Sequence, residues 1–215
     1  MKSAANIKLF RPFGPAIAEI DMPDKLVSTL NNYIDDITKN EKKLEKLDVS
    51  GALVGSVHQE LAIDKNNNTC YDFMKNFLES SIKFYIKSIN KKDVKNINIL
   101  NIWVVRQFKN EYNPNHYHSG HLSGVGYLTL PKNFGEHKNK NKTSTNGNIE
   151  LIHGSRMFLA PSQFRIVPKV GKFYLFPHYL MHTVYPFNTE GERRSISFNA
   201  EVDSSIYAST YGRET

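Results

Sequence analysis

From about residue 95 onward the chain reads as a series of short strands, and this constrains its fold more than any other feature. The segments "NINILNIWVVRQF", "LSGVGYLTL", "GNIELIHG", "QFRIVP", "GKFYLFP" and "RRSISFNAEV" are rich in β-branched and aromatic residues and are divided by Gly, Pro or Asn. Ahead of them the period is that of helices. In "DKLVSTLNNYIDDI", Leu26, Val27, Leu30, Tyr33, Ile34 and Ile37 recur on one helical face, and the charged "TKNEKKLEKLD" is expected to end that helix exposed. A second helix is expected from Thr69, whose spacing to Asp72 resembles a capping box, with Phe73, Met74, Phe77, Leu78, Ile82, Tyr85, Ile86 and Ile89 forming a broad apolar face. "IKLFRPFGPAIAEIDMP" suits short strands. Two helices before six or more strands predict a mainly β fold with N-terminal helices. Its core, about half the chain, is a jelly-roll-like antiparallel sandwich or barrel with the helices on one face.

At 215 residues and 40% hydrophobic composition, the chain fits one domain with a real core. The expected division is mixed strand and helix support over 1–95, the β core over 96–202, and a polar tail over 203–215. Apolar runs such as "NILNIWVV" are too short to span a bilayer, and "MKSAANIKLFRPFGP" lacks the apolar stretch of a signal peptide. Cys70 is the one cysteine, which excludes an internal disulfide and suits a reducing compartment. Its place on a helical face suits a small buried hydrophobe rather than a nucleophile, and a cytoplasmic location is expected. The net charge of +7 raises the question of a nucleic-acid partner. Its lysines, however, are scattered beside asparagines, and the dense "HKNKNKTSTNGN" has the character of a solvated loop without interleaved aromatics. No nucleic-acid partner is expected.

The stretch "NPNHYHSGHLSGVGYL" carries three histidines just ahead of a strand. If "HYH" is extended, His116 and His118 share one face and Tyr117 takes the other. Two imidazoles are two corners of a metal site, and His182 in "LFPHYLMHTVYPF" is the best remote candidate for the third. Spacing alone leaves both a metal site and an incidental histidine pair open. In "RRSISFNAEV", Arg194, Ile196 and Phe198 alternate with Ser195, Ser197 and Asn199. Arg194 could bind a carboxylate through its planar fork, or be an edge charge facing water beside Glu190 or Glu192.

Taken together, "IWVVRQFKNEYNPNHYHSGHLSGVGYLTLP", "GNIELIHGSR", "GKFYLFPHYLMHTVYP" and "RRSISFN" resemble, in the same order, the 2-oxoglutarate/Fe(II) oxygenases of bacteria and tailed phages. Those enzymes are relatives of the prolyl hydroxylases, and the resemblance covers about residues 99 to 202. It implies a double-stranded β-helix, the cupin-like form of the jelly roll, with iron at its open end. It also implies an Fe(II)- and 2-oxoglutarate-dependent dioxygenase that hydroxylates a C–H bond and releases succinate and CO2. By motif, His116 is the first metal ligand, His182 the distal histidine, and Arg194 the partner of the far carboxylate of 2-oxoglutarate. Tyr127 is the tyrosine that offers its hydroxyl to that same carboxylate. Ser123 is assigned to the co-substrate face with it, and Ser123, Val125, Tyr127 and Thr129 are expected on one strand face.

The superfamily pattern has Asp or Glu where this chain has His118. His118 is taken as the third ligand, giving an all-histidine site; a distant carboxylate such as Glu150, or no third ligand here, are the alternatives. No catalytic group beyond the metal ligands is assigned. His121 fits a loop at the pocket mouth, and His58, His137, His153 and His178 are not assigned to metal. Substrate contacts are expected from "NPN", the 132–147 insertion, and Arg106 and Gln107. The partners are therefore 2-oxoglutarate, O2 and a small-molecule or protein/peptide substrate, with a phage-infected bacterial host as a possible setting. Two rival readings are a three-histidine cupin-type dioxygenase that uses no keto acid, in which Arg194 would lack a ligand, and a non-enzymatic jelly-roll binding or virion module.

Overall fold

The computed structural model describes residues 7–10, 14–52, 55–136 and 143–206. Eleven strands and three α-helices are found among them. Strands β1 (Ile7–Phe10) and β2 (Ile17–Asp21) lead into helices α1 (Asp24–Thr38) and α2 (Glu41–Leu47). Strand β3 (Gln59–Ala62) and helix α3 (Asn68–Asn90) follow. The rest is β4 (Ile97–Gln107), β5 (Asn113–His116), β6 (Leu122–Thr129), β7 (Ile149–Ile152), β8 (Gln163–Ile166), β9 (Lys172–Pro177), β10 (Met181–Val184) and β11 (Arg193–Val202).

Seven strands form a major sheet in the order β1-β2-β9-β6-β11-β4-β3, and four form a minor sheet in the order β5-β10-β7-β8. Every pairing is antiparallel. From β4 to β11 the chain passes back and forth between the sheets, which is the winding of a double-stranded β-helix. Strand alternation then sorts the side chains into two layers. Phe173, Leu175, Ile196 and Phe198 pack with Leu26, Leu30, Ile34, Met74, Leu78 and Ile82 of α1 and α3. Val125, Tyr127, Tyr174 and Phe176 point the other way, between the sheets, and meet Ile149, Leu151 and Ile166. Each fully buried Leu, Ile or Phe contributes about 1.5–3 kcal/mol, so the helical layer holds the major sheet in place and leaves its other face to build a cavity.

Local departures from the sequence reading have local causes. The charged stretch after α1 starts a separate short helix, because the Asn40 side chain accepts from the Lys43 N–H. Helix α3 is capped by Asn67, which accepts from the Cys70 N–H, rather than by Thr69. Cys70 is buried, with its thiol against the Thr29 carbonyl. The N-terminal part does more than support the core, since β1, β2 and β3 are themselves strands of the major sheet. At the other end Ile206 is buried and the Asp203 carboxylate accepts from the Lys95 and Asn96 N–H groups. The expected polar tail therefore begins as an anchored segment; 207–215 lie outside the described residues.

The small residues of "LSGVGYL" are explained by close approach. A Cβ on Gly124 would lie 2.5 Å from the Tyr174 carbonyl oxygen and 3.0 Å from both the Phe173 and Phe198 rings. Because the nearest obstacle is backbone of the neighbouring strand β9, it cannot rotate away. Gly124→Ala is expected to cost about 1–3 kcal/mol by overpacking, measurable as a lowered denaturation midpoint with an unchanged m-value; wild-type stability would show that β6 and β9 are not this close.

Candidate active site

His116 ends β5 and lies directly across from His182 of β10. His118 is not on the strand. It follows the end of β5 in a loop held by its own N–H, which donates to the His178 carbonyl at 3.0 Å, and by His178 Nδ1, 2.9 Å from the His118 carbonyl. The shared strand face expected for His116 and His118 is thus replaced by a loop that turns His118 back toward the other two. The result is the same convergence. One nitrogen from each of the three rings lies within 4.8 Å of the others, the one such group of His, Cys, Asp or Glu found among the described residues. The Nε2 atoms of His118 and His182 are 3.2 Å apart.

The outward nitrogens are engaged. Nδ1 of His116 lies 2.7 Å from the Pro114 carbonyl and Nδ1 of His182 lies 2.9 Å from the Leu180 carbonyl. A carbonyl can only accept, so both Nδ1 atoms carry protons and both Nε2 lone pairs face the centre. Burial lowers the pKa of all three imidazoles, and mutual proximity lowers His118, to about 4, and His182 further. All three are neutral near pH 7. Three neutral, oriented nitrogen donors suit a divalent first-row metal, imidazole being an accepted iron ligand.

Further into the same cavity lies a buried cation without an anion. Arg193, 1% exposed, donates from Nη1 to Gln107 Oε1 at 3.2 Å, and its guanidinium sits 5.0 Å from the centre of the Tyr127 ring. Its Nε and Nη2 and the Tyr127 hydroxyl, all buried, have no hydrogen-bond partner. Arg194 points the other way. It pairs with Glu192 at 2.8 Å and Asp35 at 2.8 Å and donates to Asn31 on α1. The expectation that Arg194 faces the pocket is therefore corrected by one residue. Arg194 shares a face with Ile196 and Phe198 against the helices; Arg193 shares one with Ser195 and Ser197, which line the cavity. An unpaired buried guanidinium costs several kcal/mol unless a ligand completes it, and a carboxylate fits the two free nitrogens and the phenol.

The fold and the site have counterparts. Residues 101–199, which contain all three histidines, Tyr127 and Arg193, match the family described as "Putative 2OG-Fe(II) oxygenase". That match spans the strand core and leaves out the N-terminal elements. Solved structures with the same fold include a viral collagen prolyl hydroxylase from Paramecium Bursaria Chlorella virus-1 in its 2-oxoglutarate complex, at 15% identity and TM-score 0.54, covering 86% of this chain and 94% of that one. A Pseudomonas putida prolyl-4-hydroxylase matches at 14% identity and TM-score 0.56, over 92% of this chain and 94% of that one. A prolyl hydroxylase from Trichoplax adhaerens, solved with a hypoxia inducible factor peptide fragment, matches at 12% identity and TM-score 0.59, over 92% and 87%. A search of curated protein sequences gave no match.

The remaining candidates of the core sort by face. Ser123 is buried with its hydroxyl donated to the Phe198 carbonyl at 2.9 Å, so it is engaged in joining β6 to β11. Thr129 is not on the cavity face. The β6–β11 register slips between Arg194 and Ser195, and beyond that bulge Thr129 donates to Asn31 on the helical side. Glu150 is buried under Gln163, Arg165 and Tyr185, which donate to both its carboxylate oxygens, and it does not join the three histidines. Arg106 faces the helical side and pairs with Glu192, whereas Gln107 lines the cavity and steadies Arg193. His121 accepts the Val202 N–H, His178 braces the His118 loop, and His58 packs edge-on against Phe108. His137 and part of the 132–147 insertion lie outside the described residues.

Two cavity residues had no place in the sequence reading. Trp103 of β4 stands with its ring centre 5.6 Å from that of His118, and Glu60 of β3 lies beside it. Glu60 sits in a short "QELA" strand with no local signal of function.

Proposed function

We propose that His116, His118 and His182 are the protein ligands of the iron in this 2-oxoglutarate-dependent dioxygenase, and that Arg193 with Tyr127 binds the far carboxylate of 2-oxoglutarate. The observation that carries the assignment is the buried Arg193, with two unpaired nitrogens, in the same cavity as three converging imidazoles. When bound, the metal and keto acid together supply oxygen activation: one oxygen atom enters succinate as CO2 leaves, and the other enters a substrate C–H bond as hydroxyl.

The chain's own residues bind and orient. Pro114 and Leu180 carbonyls hold the His116 and His182 rings in one tautomer. Gln107 and the Tyr127 ring fix the Arg193 fork. Val125, Phe176 and Val184 make the lining apolar, which keeps water out and strengthens the charge interactions within. Because all three ligands are neutral, the metal keeps its full charge, which favours a dianionic co-substrate. Among the described residues no helix is long and apolar enough to cross a membrane. A buried free Cys70 suits our placement of the enzyme in a reducing cytoplasm, with a bacterial or phage setting suggested by the sequence resemblance alone.

The cupin-type reading, without a keto acid, leaves Arg193 as an unexplained buried charge; Arg194 no longer bears on it, being paired with Glu192 and Asp35. The test is succinate release from 2-oxoglutarate with Fe(II) and oxygen. Slow release is expected even without the true substrate. No succinate above a metal-free control, together with no Fe(II) or Mn(II) binding, would exclude the enzyme; metal binding without succinate would favour the cupin-type reading.

A further inference from the structure

Among the described residues Glu60 supplies the one carboxylate of the cavity lining, and Arg193 the one fixed cation. Its strand β3 is the edge of the major sheet, registered so that Glu60 lies across from Val105. Gln59 and Leu61, on either side, belong to the helical face: Gln59 accepts from Arg106, and Leu61 joins the helical core. Alternation therefore commits Glu60 to the cavity, and its N–H, donated to Ser50 Oγ at 2.8 Å, pins the strand there. Among the described residues no lysine or arginine pairs with its carboxylate. Burial, with the nearby Asp48 charge, pushes its carboxyl up to about 7, while the Trp103 indole N–H holds it back.

A half-buried carboxylate without a cation is costly to maintain for structure alone. The two anionic needs of the site, at the metal and at Arg193, are met by the two carboxylates of 2-oxoglutarate under the proposed function, and Glu60 is not grouped with the three histidines. What complements Glu60 is a positive group arriving with the substrate. Trp103 adds a second feature of the same preference, since an indole beside a carboxylate attracts a cation to its face. Its ring is 5.6 Å from the His118 ring, so a group held there lies one ring's breadth from the metal ligands.

We propose that Glu60 and Trp103 form the substrate-anchoring subsite, and that the substrate presents a cationic nitrogen, an ammonium or guanidinium, to them. The proposal rests on the iron- and 2-oxoglutarate-dependent reading of the same cavity. The cation could come from a basic side chain of a peptide or from a free small amine, and the probes below separate these.

Trp103 is the chain's one tryptophan, so its fluorescence reports on this wall directly. The protein loaded with Mn(II) and 2-oxoglutarate under anaerobic conditions would be titrated with Nα-acetyl-lysine methylamide, Nα-acetyl-arginine methylamide and free lysine. The neutral Nα-acetyl-norleucine methylamide is the control, and all four are repeated on Glu60→Gln, an isosteric change that keeps the strand. At least one cationic probe is expected to bind the wild type about tenfold more tightly than the norleucine probe, a preference of about 1.4 kcal/mol, and Glu60→Gln should erase that preference. A response to the blocked residues and not to free lysine would indicate a peptide source, and the reverse a free amine; either supports the subsite. Equal or absent binding of all probes, or a preference that survives in Glu60→Gln, overturns it. So does a loss of Mn(II) affinity in Glu60→Gln without a change in probe preference, which would make the carboxylate a counter-charge for the metal. Failure of wild type to bind Mn(II) or 2-oxoglutarate at all would instead strike the underlying assignment.

Discussion

Arg193→Met is expected to weaken 2-oxoglutarate binding at least tenfold while raising the melting temperature of the ligand-free protein. Arg194→Ala should leave 2-oxoglutarate binding nearly unchanged and lower the melting temperature. The two arginines are adjacent, and their opposite behaviour follows from opposite strand faces. Arg193 is a fully buried cation whose Nε and Nη2 have no partner, so removing it relieves an unpaired charge and deprives the co-substrate of its clamp. Truncating a buried charge partner costs a ligand about 2–5 kcal/mol, well beyond a tenfold change. Arg194 is fully engaged with Glu192, Asp35 and Asn31, and it ties β11 to α1. Its loss should cost about 1–3 kcal/mol of stability, since Asp35 is half exposed and Glu192 keeps Arg106. Calorimetric titration with 2-oxoglutarate in the presence of Mn(II), paired with thermal melts of the ligand-free variants, reads both effects. Normal binding by Arg193→Met would remove Arg193 from the site.

The second large effect is at His118. His118→Ala should nearly abolish Fe(II) or Mn(II) binding, beyond the roughly 10–100-fold that follows loss of an outer partner. The loop itself should survive, because it is held by main-chain bonds to His178 rather than by the imidazole. His118→Asp should retain much of the affinity, since a carboxylate restores the commoner set of two histidines and one acid, although its shorter reach will displace the metal. In the wild type, protons compete with metal only when they bind the free imidazoles. Burial lowers all three pKa values below the ordinary histidine value, His118 to about 4, so affinity should be level above about pH 6.5 and be lost as the pH falls toward 4. Anaerobic Mn(II) titrations of the three proteins across that range measure all of this. Wild-type affinity in His118→Ala would show that His118 is not a ligand; Glu150 would not be its replacement, because Gln163, Arg165 and Tyr185 already occupy its carboxylate.

What the sequence by itself determined was local. Period-two runs located β4, β6, β7, β8, β9 and β11, and helical spacing located the buried face of α1. The ordered motifs also selected His116, His118 and His182, which the structure brings together. The arginine was within reach of the same reasoning: Arg193, not Arg194, alternates into register with Ser195, Ser197 and Asn199, the polar face of a strand whose other face is Ile196 and Phe198. Alternation states which residues share a face, but which face is covered by helices and which lines a cavity depends on packing from elsewhere in the chain. For that reason the bulge that turns Thr129 toward Asn31 and the loop bonds that return His118 to the centre belong to tertiary structure. Glu60 belongs there too. Nothing near it in the chain marks it as functional, and it reaches the cavity because β3 pairs with β4 across an intervening 23-residue helix. Such a pairing is fixed by the fit of whole layers rather than by any pattern within either strand.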